Sequence, residues 1–258
     1  MNFVKRGDVM GVKSAERVLE IFNTLAENTQ GLTCKEISQK LGYAASSTFE
    51  LLKTLVENGY LQMNENKKYF LGAMLIRLGN IVNDNLDLKN IIKPHLVELM
   101  NILLETIFLG MLSKNSIIYI DKVRSNQTVA TNANVGSLKP LYCTGLGKII
   151  LAFMKEEKLH EVLEEIEFKK YTQNTISGKE KFIEKLKEYK NQGYAIDDEE
   201  IEEGLWCLAV PIYDSKGEVN LAISVSGPKE RMLAKKELIT ETMLKKSKEI
   251  SQLLGYIK

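Results

Sequence analysis

The sequence is short of the residues that build most catalytic and cross-linked proteins. It holds three cysteines and two histidines in 258 residues. Cys34, Cys143 and Cys207 are odd in number and widely spaced, so they make neither a disulfide framework nor a zinc-finger pattern. His95 and His160 neighbour no serine or cysteine motif that would pair a nucleophile with a base. Neither H-x-x-x-H nor C-x-x-C occurs, and no G-x-x-x-x-G-K-[ST] phosphate loop; Gly145 and Gly147-Lys148 resemble one only superficially. Catalysis, a bound metal and a cofactor are therefore not expected. Charge of one sign is also missing: 35 Lys and Arg against 34 Asp and Glu leave a net of +1, which singles out no acidic or membranous partner. No apolar run approaches the roughly 18 residues needed to span a bilayer. The opening MNFVKRGDVM lacks the apolar stretch of a secretory signal. A cytoplasmic protein that does not enter membranes is expected.

What is present is a chain with 44% apolar residues, long enough for two domains. Residues 1–11 show no periodicity and read as a loose arm. From Ser14, a possible cap, the residues Ala15, Val18, Leu19, Phe22, Leu25 and Ala26 form the stripe of an amphipathic helix. Thr33 to Gly59 then reads as two short helices and a tight turn. Thr33 and Glu36 have capping-box spacing, Ile37 and Leu41 share a face, and Gly42 suits a left-handed stop. The second helix would bury Leu51, Leu52, Leu55 and Val56. It would present Ser46, Ser47, Phe49, Glu50 and Lys53, a face able to meet base edges or phosphates in a major groove. A hairpin follows, Tyr60–Met63 and Tyr69–Leu71 around a polar turn, with Lys67 and Lys68 at its tip. A basic hairpin directly after a presented helix is a winged helix-turn-helix, and its lysines would meet phosphate. Over residues 1–72, nine Lys and Arg face eight Asp and Glu, so placement and not bulk charge carries this reading.

Leu71 to about Leu88, with Leu75, Leu78, Val82 and Leu86 on one side, reads as a linker helix whose apolar side a second copy of the chain could cover. A helix with Pro94 near its start runs on to Leu104. The remainder alternates strands and helices: a hairpin from Thr106–Leu112 and Ser116–Val123, helices at Gly145–Phe153, Glu156–Glu165 and Gly178–Gln192, then strands Tyr194–Asp197, Leu205–Tyr213 and Val219–Ser226 before a C-terminal helix. Ser177 and Glu180 have capping-box spacing at the third of those helices. The fold class expected is α+β: an N-terminal winged helix-turn-helix domain over 12–72, a linker helix over 73–90, and over 91–258 a domain of helices on an antiparallel sheet.

Three clusters in that last domain could hold a ligand. Tyr142 to Lys148 opens a helix with glycines, where free amides can bind an anion. Asp197 to Glu200 is an acidic run after a strand. Cys207, Ser224 and Ser226 lie on the two long strands, the serines on one face because they are two apart. Each also has a plain structural reading, as a capped helix, a solvated turn and a strand whose hydroxyls satisfy their neighbours.

Taken in order, these pieces resemble the IclR family of bacterial transcriptional regulators from about Val12 to Arg231. In the first half the resemblance rests on Gly31-Leu32-Thr33, Glu36-Ile37, Leu41-Gly42, Ser46-Ser47-Thr48, Leu51-Leu52, Leu55 and Gly59-Tyr60-Leu61. In the second it rests on Gly136, Pro140, Gly147-Lys148, Leu151-Ala152, Thr175-Ile176, Gly193-Tyr194, Asp197, Glu200, Gly204-Leu205, Cys207-x-Ala209-x-Pro211 and Ser224-Val225-Ser226-Gly227. The resemblance implies a GAF-like effector-binding domain for a small organic acid or aromatic metabolite. It also implies double-stranded DNA with a palindromic operator as partner, and a homodimer or dimer of dimers. Carried over by position, the effector would meet Gly145, Leu146, Asp197, Leu205, Cys207, Ser224 and Ser226. The function expected is a sequence-specific transcriptional regulator, a repressor before an activator, controlled by a small metabolite. The alternative is a small-molecule sensor, or a redox or metal sensor using Cys143 and Cys207 near one cavity, whose N-terminal domain only dimerises. The chain departs from the family pattern at Ala44 and Ala45, where Pro and a basic residue are common, and at Glu50, where Arg is common. Glu50 could instead cap the helix from Ser47 or accept from a cytosine amine.

Overall fold

The computed structural model describes residues 12–85, 87–131 and 133–257. Expectations for residues 1–11, for Leu86 and for the Val82 side chain lie outside the described residues. The chain divides into two compact units between Leu86 and Asp87.

The N-terminal unit begins with α1 (Lys13–Glu27), β1 (Leu32–Thr33), α2 (Cys34–Leu41) and α3 (Ala45–Glu57). It continues with β2 (Leu61–Met63), β3 (Lys68–Leu71) and α4 (Ala73–Asn85). The capping box is present: the Glu36 amide donates to the Thr33 hydroxyl at 3.3 Å and the Thr33 amide to the Glu36 carboxylate at 2.7 Å. Gly42 ends α2 at φ +69°, a conformation that costs glycine no Cβ clash. The turn is then tied to α1, because the Tyr43 hydroxyl donates to Glu20 and the Arg17 guanidinium lies 4.7 Å from the Tyr43 ring centroid. Ile21, Leu25, Ile37, Leu52, Leu55, Leu61 and Tyr69 close the core.

Several details differ from the sequence reading. Helix α1 starts at Lys13 after Val12, not at a Ser14 cap, and its buried stripe is rotated. Ile21 is fully buried, whereas Ala15, Leu19 and Ala26 are exposed. Burial follows the hairpin, which packs over Ile21 and Leu25 and leaves Leu19 in solvent. The hairpin also gains a third strand, in order β1-β3-β2.

The C-terminal unit opens with α5 (Asp87–Leu103), so the expected linker span of 73–90 is divided between α4 and the start of α5. There follow β4 (Thr106–Ser113), β5 (Ser116–Val123), β6 (Leu138–Pro140), α6 (Gly145–Phe153), α7 (Glu156–Glu165) and α8 (Lys179–Gln192). The chain closes with β7 (Ala195–Asp198), β8 (Leu205–Tyr213), β9 (Val219–Pro228), α9 (Lys229–Leu233) and α10 (Lys236–Leu253). The six strands form one antiparallel sheet in the order β6-β5-β4-β9-β8-β7. Helix α8 is capped by Gly178 without a side-chain bond, so Ser177 and Glu180 form no capping box. Strand β6, missed in the sequence, pairs Leu138 to Pro140 with Ile118 to Ser116.

Side-chain alternation along the long strands sorts the unit into layers. Trp206, Leu208, Val210 and Ile212 of β8, with Leu221, Ile223 and Val225 of β9, face α5 and α10. The intervening residues, Ala209 and Ala222 among them, face α6, α7 and α8. Small residues on that second face let α6 approach the sheet closely. Residues 145–152 are all buried, and a Cβ on Gly145 would stand 3.2 Å from that of Ala209.

Candidate functional site

The same alternation places Cys207, Ser224 and Ser226 on the α6 side of the sheet, directly under the start of that helix. There a cavity of about 760 Å³ opens, and its wall includes Gly145, Leu146, Asp197, Leu205, Cys207, Ser224 and Ser226. All seven residues named for the effector therefore line one space, although they come from α6, β7, β8 and β9.

At one end is the opening turn of α6. The Thr144 hydroxyl caps the Gly147 amide at 3.2 Å, while the amides of Gly145 and Leu146, ahead of it, have no acceptor within the helix. Free amides at a helix start favour negative charge. Opposite lies a hydroxyl and thiol chain, with Thr131 Oγ1 2.9 Å from Ser226 Oγ, which lies 3.1 Å from Cys207 Sγ. Ser224 is 4% exposed. Phe108, its cross-strand partner in β4, packs against Tyr119 of β5 with ring centroids 4.9 Å apart and planes tilted by 35°, and both rings line the cavity. Burial pushes the Tyr119 phenol well above its ordinary pKa.

Asp197, 2% exposed, forms the floor. Its Oδ1 accepts from the Glu200 amide at 2.9 Å. Burial pushes its pKa up to about 7, against the pull of the Lys148 ammonium and of the backbone amides. Lys148 is wholly buried and ion-paired with Glu200. Burial works against its ammonium, yet Glu200, Tyr189 and Asp197 outweigh burial and hold its pKa above the ordinary value. The acidic run is thus no solvated turn: Asp198 meets Lys229 at 2.8 Å, Glu199 meets the same lysine, and the Thr175 hydroxyl donates to the Glu200 carbonyl at 2.6 Å.

Sequence reasoning missed Phe108, Tyr119, Thr131 and Tyr171 in the cavity wall. The first two were reachable by pairing Ser224 across the sheet; Thr131 sits in a loop without periodicity. Cys143, expected with Cys207 near one cavity, is fully buried just ahead of α6 and does not itself line the space, although it lies close enough to the lining residues Asp197 and Tyr119 for their charges to act on one another. Burial holds both thiols protonated, Cys143 with a pKa of about 12 and Cys207 also raised.

In the N-terminal unit, Ser46, Phe49, Glu50 and Lys53 are exposed on α3 and Ser47 is half-buried, while Thr48, Leu52 and Leu55 point inward. Glu50 does not cap this helix from Ser47 as expected: α3 begins two residues earlier, after Ala44 and without a side-chain cap, and the Ser47 hydroxyl donates to the Ala44 carbonyl at 3.0 Å. Lys67 is exposed at the hairpin tip, with φ +56°, and Lys68 is half-buried at the start of β3. No helix among the described residues is long and apolar enough to cross a membrane.

Comparison with known proteins agrees with this geometry in both units. The IclR helix-turn-helix domain matches residues 14–65, and the C-terminal domain of bacterial transcriptional regulator IclR matches residues 81–252. The HTH-type transcriptional regulator KdgR of Escherichia coli is 35% identical over 248 residues, covering 95% of this chain and 94% of its own. The transcriptional repressor IclR of Escherichia coli is 31% identical over 250 residues, covering 95% and 90%. The crystal structure of the Thermotoga maritima IclR superimposes with a TM-score of 0.72 at 32% identity, covering 95% of this chain and 99% of that one. With both halves matched in order and relatives aligned nearly end to end, the chain belongs to the IclR family of bacterial DNA-binding transcriptional regulators.

Proposed function

We propose that the chain represses transcription from a palindromic double-stranded DNA operator as a homodimer or dimer of dimers, and that a small organic acid in the C-terminal cavity controls its affinity for that operator. The observation that carries this reading is the convergence of an open helix start, Ser224 and Asp197 on one partly apolar cavity of about 760 Å³, a size and lining suited to a small molecule. The carboxylate would sit on the Gly145 and Leu146 amides, with Ser224 and Ser226 as further partners, while Leu205 and the Phe108–Tyr119 pair cover the carbon skeleton. In the other unit Ser46, Ser47, Phe49, Glu50 and Lys53 would enter the major groove, and Lys67 and Lys68 would meet flanking phosphates. Ile76, Leu78 and Ile81 of α4 are exposed, an apolar side that a second copy would bury.

Control would follow from linkage: an acid that binds the DNA-competent and incompetent arrangements unequally shifts the population by no more than that difference. The test is selection of bound sequences from a random duplex library with the full-length protein, followed by titration of the selected duplex with short 2-oxo, hydroxy and benzoic acids. An enriched two-fold symmetric site whose binding one of these acids alters is the expected result. No enrichment at low salt would remove the DNA reading and favour a sensor that uses its first unit only to dimerise. An operator indifferent to every acid would remove the effector.

A further inference from the structure

Two neighbouring side chains on α3 are unlike each other and unlike what a phosphate-binding surface needs. Phe49 is 49% exposed, an aromatic ring left in solvent between Ser46, Glu50 and Lys53 on the same outward side of the helix. Ringed by polar residues, it belongs to no apolar patch of the kind that docks another protein. Glu50 is exposed, and its carboxylate enters none of the ion pairs formed among the described residues.

A carboxylate cannot approach the phosphate backbone without repulsion, so in a major groove it must face a base edge. The floor of that groove offers one pair edge at which an acceptor meets a donor without a competing acceptor on the same base, the N4 amine of cytosine. Adenine sets N7 beside its amine, and guanine and thymine present acceptors. The floor likewise carries one apolar group, the C5-methyl of thymine. Lys53 lies one helical turn beyond both residues, four from Phe49 and three from Glu50, where its cation meets the adjoining backbone.

Resting on the reading of α3 as the recognition helix, we infer that Phe49 and Glu50 set operator specificity: each half-site carries a thymine whose methyl group meets the Phe49 ring and, within two positions of it, a cytosine whose amine donates to the Glu50 carboxylate.

The experiment is the same library selection run with the full-length wild-type protein and with Glu50→Gln, Glu50→Ala and Phe49→Ala, all changes at exposed positions whose folding is checked by thermal melting. The wild type should enrich half-sites with a fixed cytosine and thymine. Glu50→Gln should move the preference at the cytosine position to adenine, whose N6 and N7 a glutamine amide matches. Glu50→Ala should flatten that position alone, losing about tenfold in discrimination. Replacing the thymine by deoxyuridine, which removes only the methyl group, should weaken the wild type several-fold and leave Phe49→Ala unaffected. A symmetric site whose base preferences no variant alters, or a wild type indifferent to deoxyuridine, overturns the assignment while leaving α3 as a DNA-binding helix. Failure to enrich any site overturns both.

Discussion

Lys148 and Glu200 form a buried ion pair across 52 residues of sequence, joining α6 to the turn that follows Asp197 in β7. One partner lies a turn below the cavity's open helix start, the other holds Asp197 through its own backbone amide. The pair therefore braces two walls of the ligand space.

Removing one charge from such a pair leaves the other buried and uncompensated. Lys148→Met should destabilise the C-terminal unit by about 3–5 kcal/mol, whereas Lys148→Met with Glu200→Leu should cost clearly less. Urea unfolding of the wild type, Lys148→Met, Glu200→Leu and the double variant completes the double-mutant cycle that measures the coupling. A double loss equal to the sum of the two single losses would mean that the charges are not coupled.

The Asp197 carboxyl has a pKa raised to about 7 by burial, so the folded chain holds a proton that the unfolded chain releases near the ordinary aspartate value. That contribution to stability is complete below the unfolded pKa and is lost as pH rises through the folded one. Stability should fall between roughly pH 4 and 7 by an amount that Asp197→Asn abolishes. An acid bound beside this carboxyl adds to the same balance, because like charge favours the protonated form. Effector affinity measured by calorimetry should be higher at pH 6 than at pH 8, and Asp197→Asn should level it.

A methyl group at Gly147 would meet the Leu141 carbonyl oxygen at 2.2 Å, a backbone atom that cannot turn aside. At Gly145 the nearest atom is the Ala209 Cβ at 3.2 Å. Gly147→Ala should therefore cost more than the about 1–3 kcal/mol usual for overpacking, and Gly145→Ala no more than that range. Melting temperatures with and without the effector would separate the loss of fold from the loss of site.

The hairpin lysines should act on all sequences alike. Lys67→Ala should weaken specific and non-specific duplex binding by similar factors and lower the slope of log affinity against log salt by about 1. A change confined to one base position would instead make Lys67 a base reader.

The start of α6 and the limits of β8 could be read from the sequence because local signals mark them: glycines that open the helix, and for β8 a long apolar run bounded by turns. Cys207, Ser224 and Ser226 could be placed together because strand alternation has one period and no slack. Helix α1 was harder. Val18, Leu19, Ile21, Phe22 and Leu25 allow two apolar stripes, and only tertiary packing chose the one through Ile21. Lys148, whose likeness to a phosphate loop is only superficial, could not be given its role from the sequence, because a lone charged residue in an apolar helix has no visible partner until Glu200 folds back to it. Thr131 and Tyr171 lie in irregular segments, where no periodicity marks which side chain turns inward.

The sheet of the C-terminal unit ends on one side in β6, three residues long, and on the other in β7, four residues long. Such brief borders offer little unpaired backbone for another chain to extend. Copies of this protein are consequently steered away from the open-ended stacking that leads to fibres. Association that does not extend this sheet relies on side-chain surfaces, which single substitutions can tune.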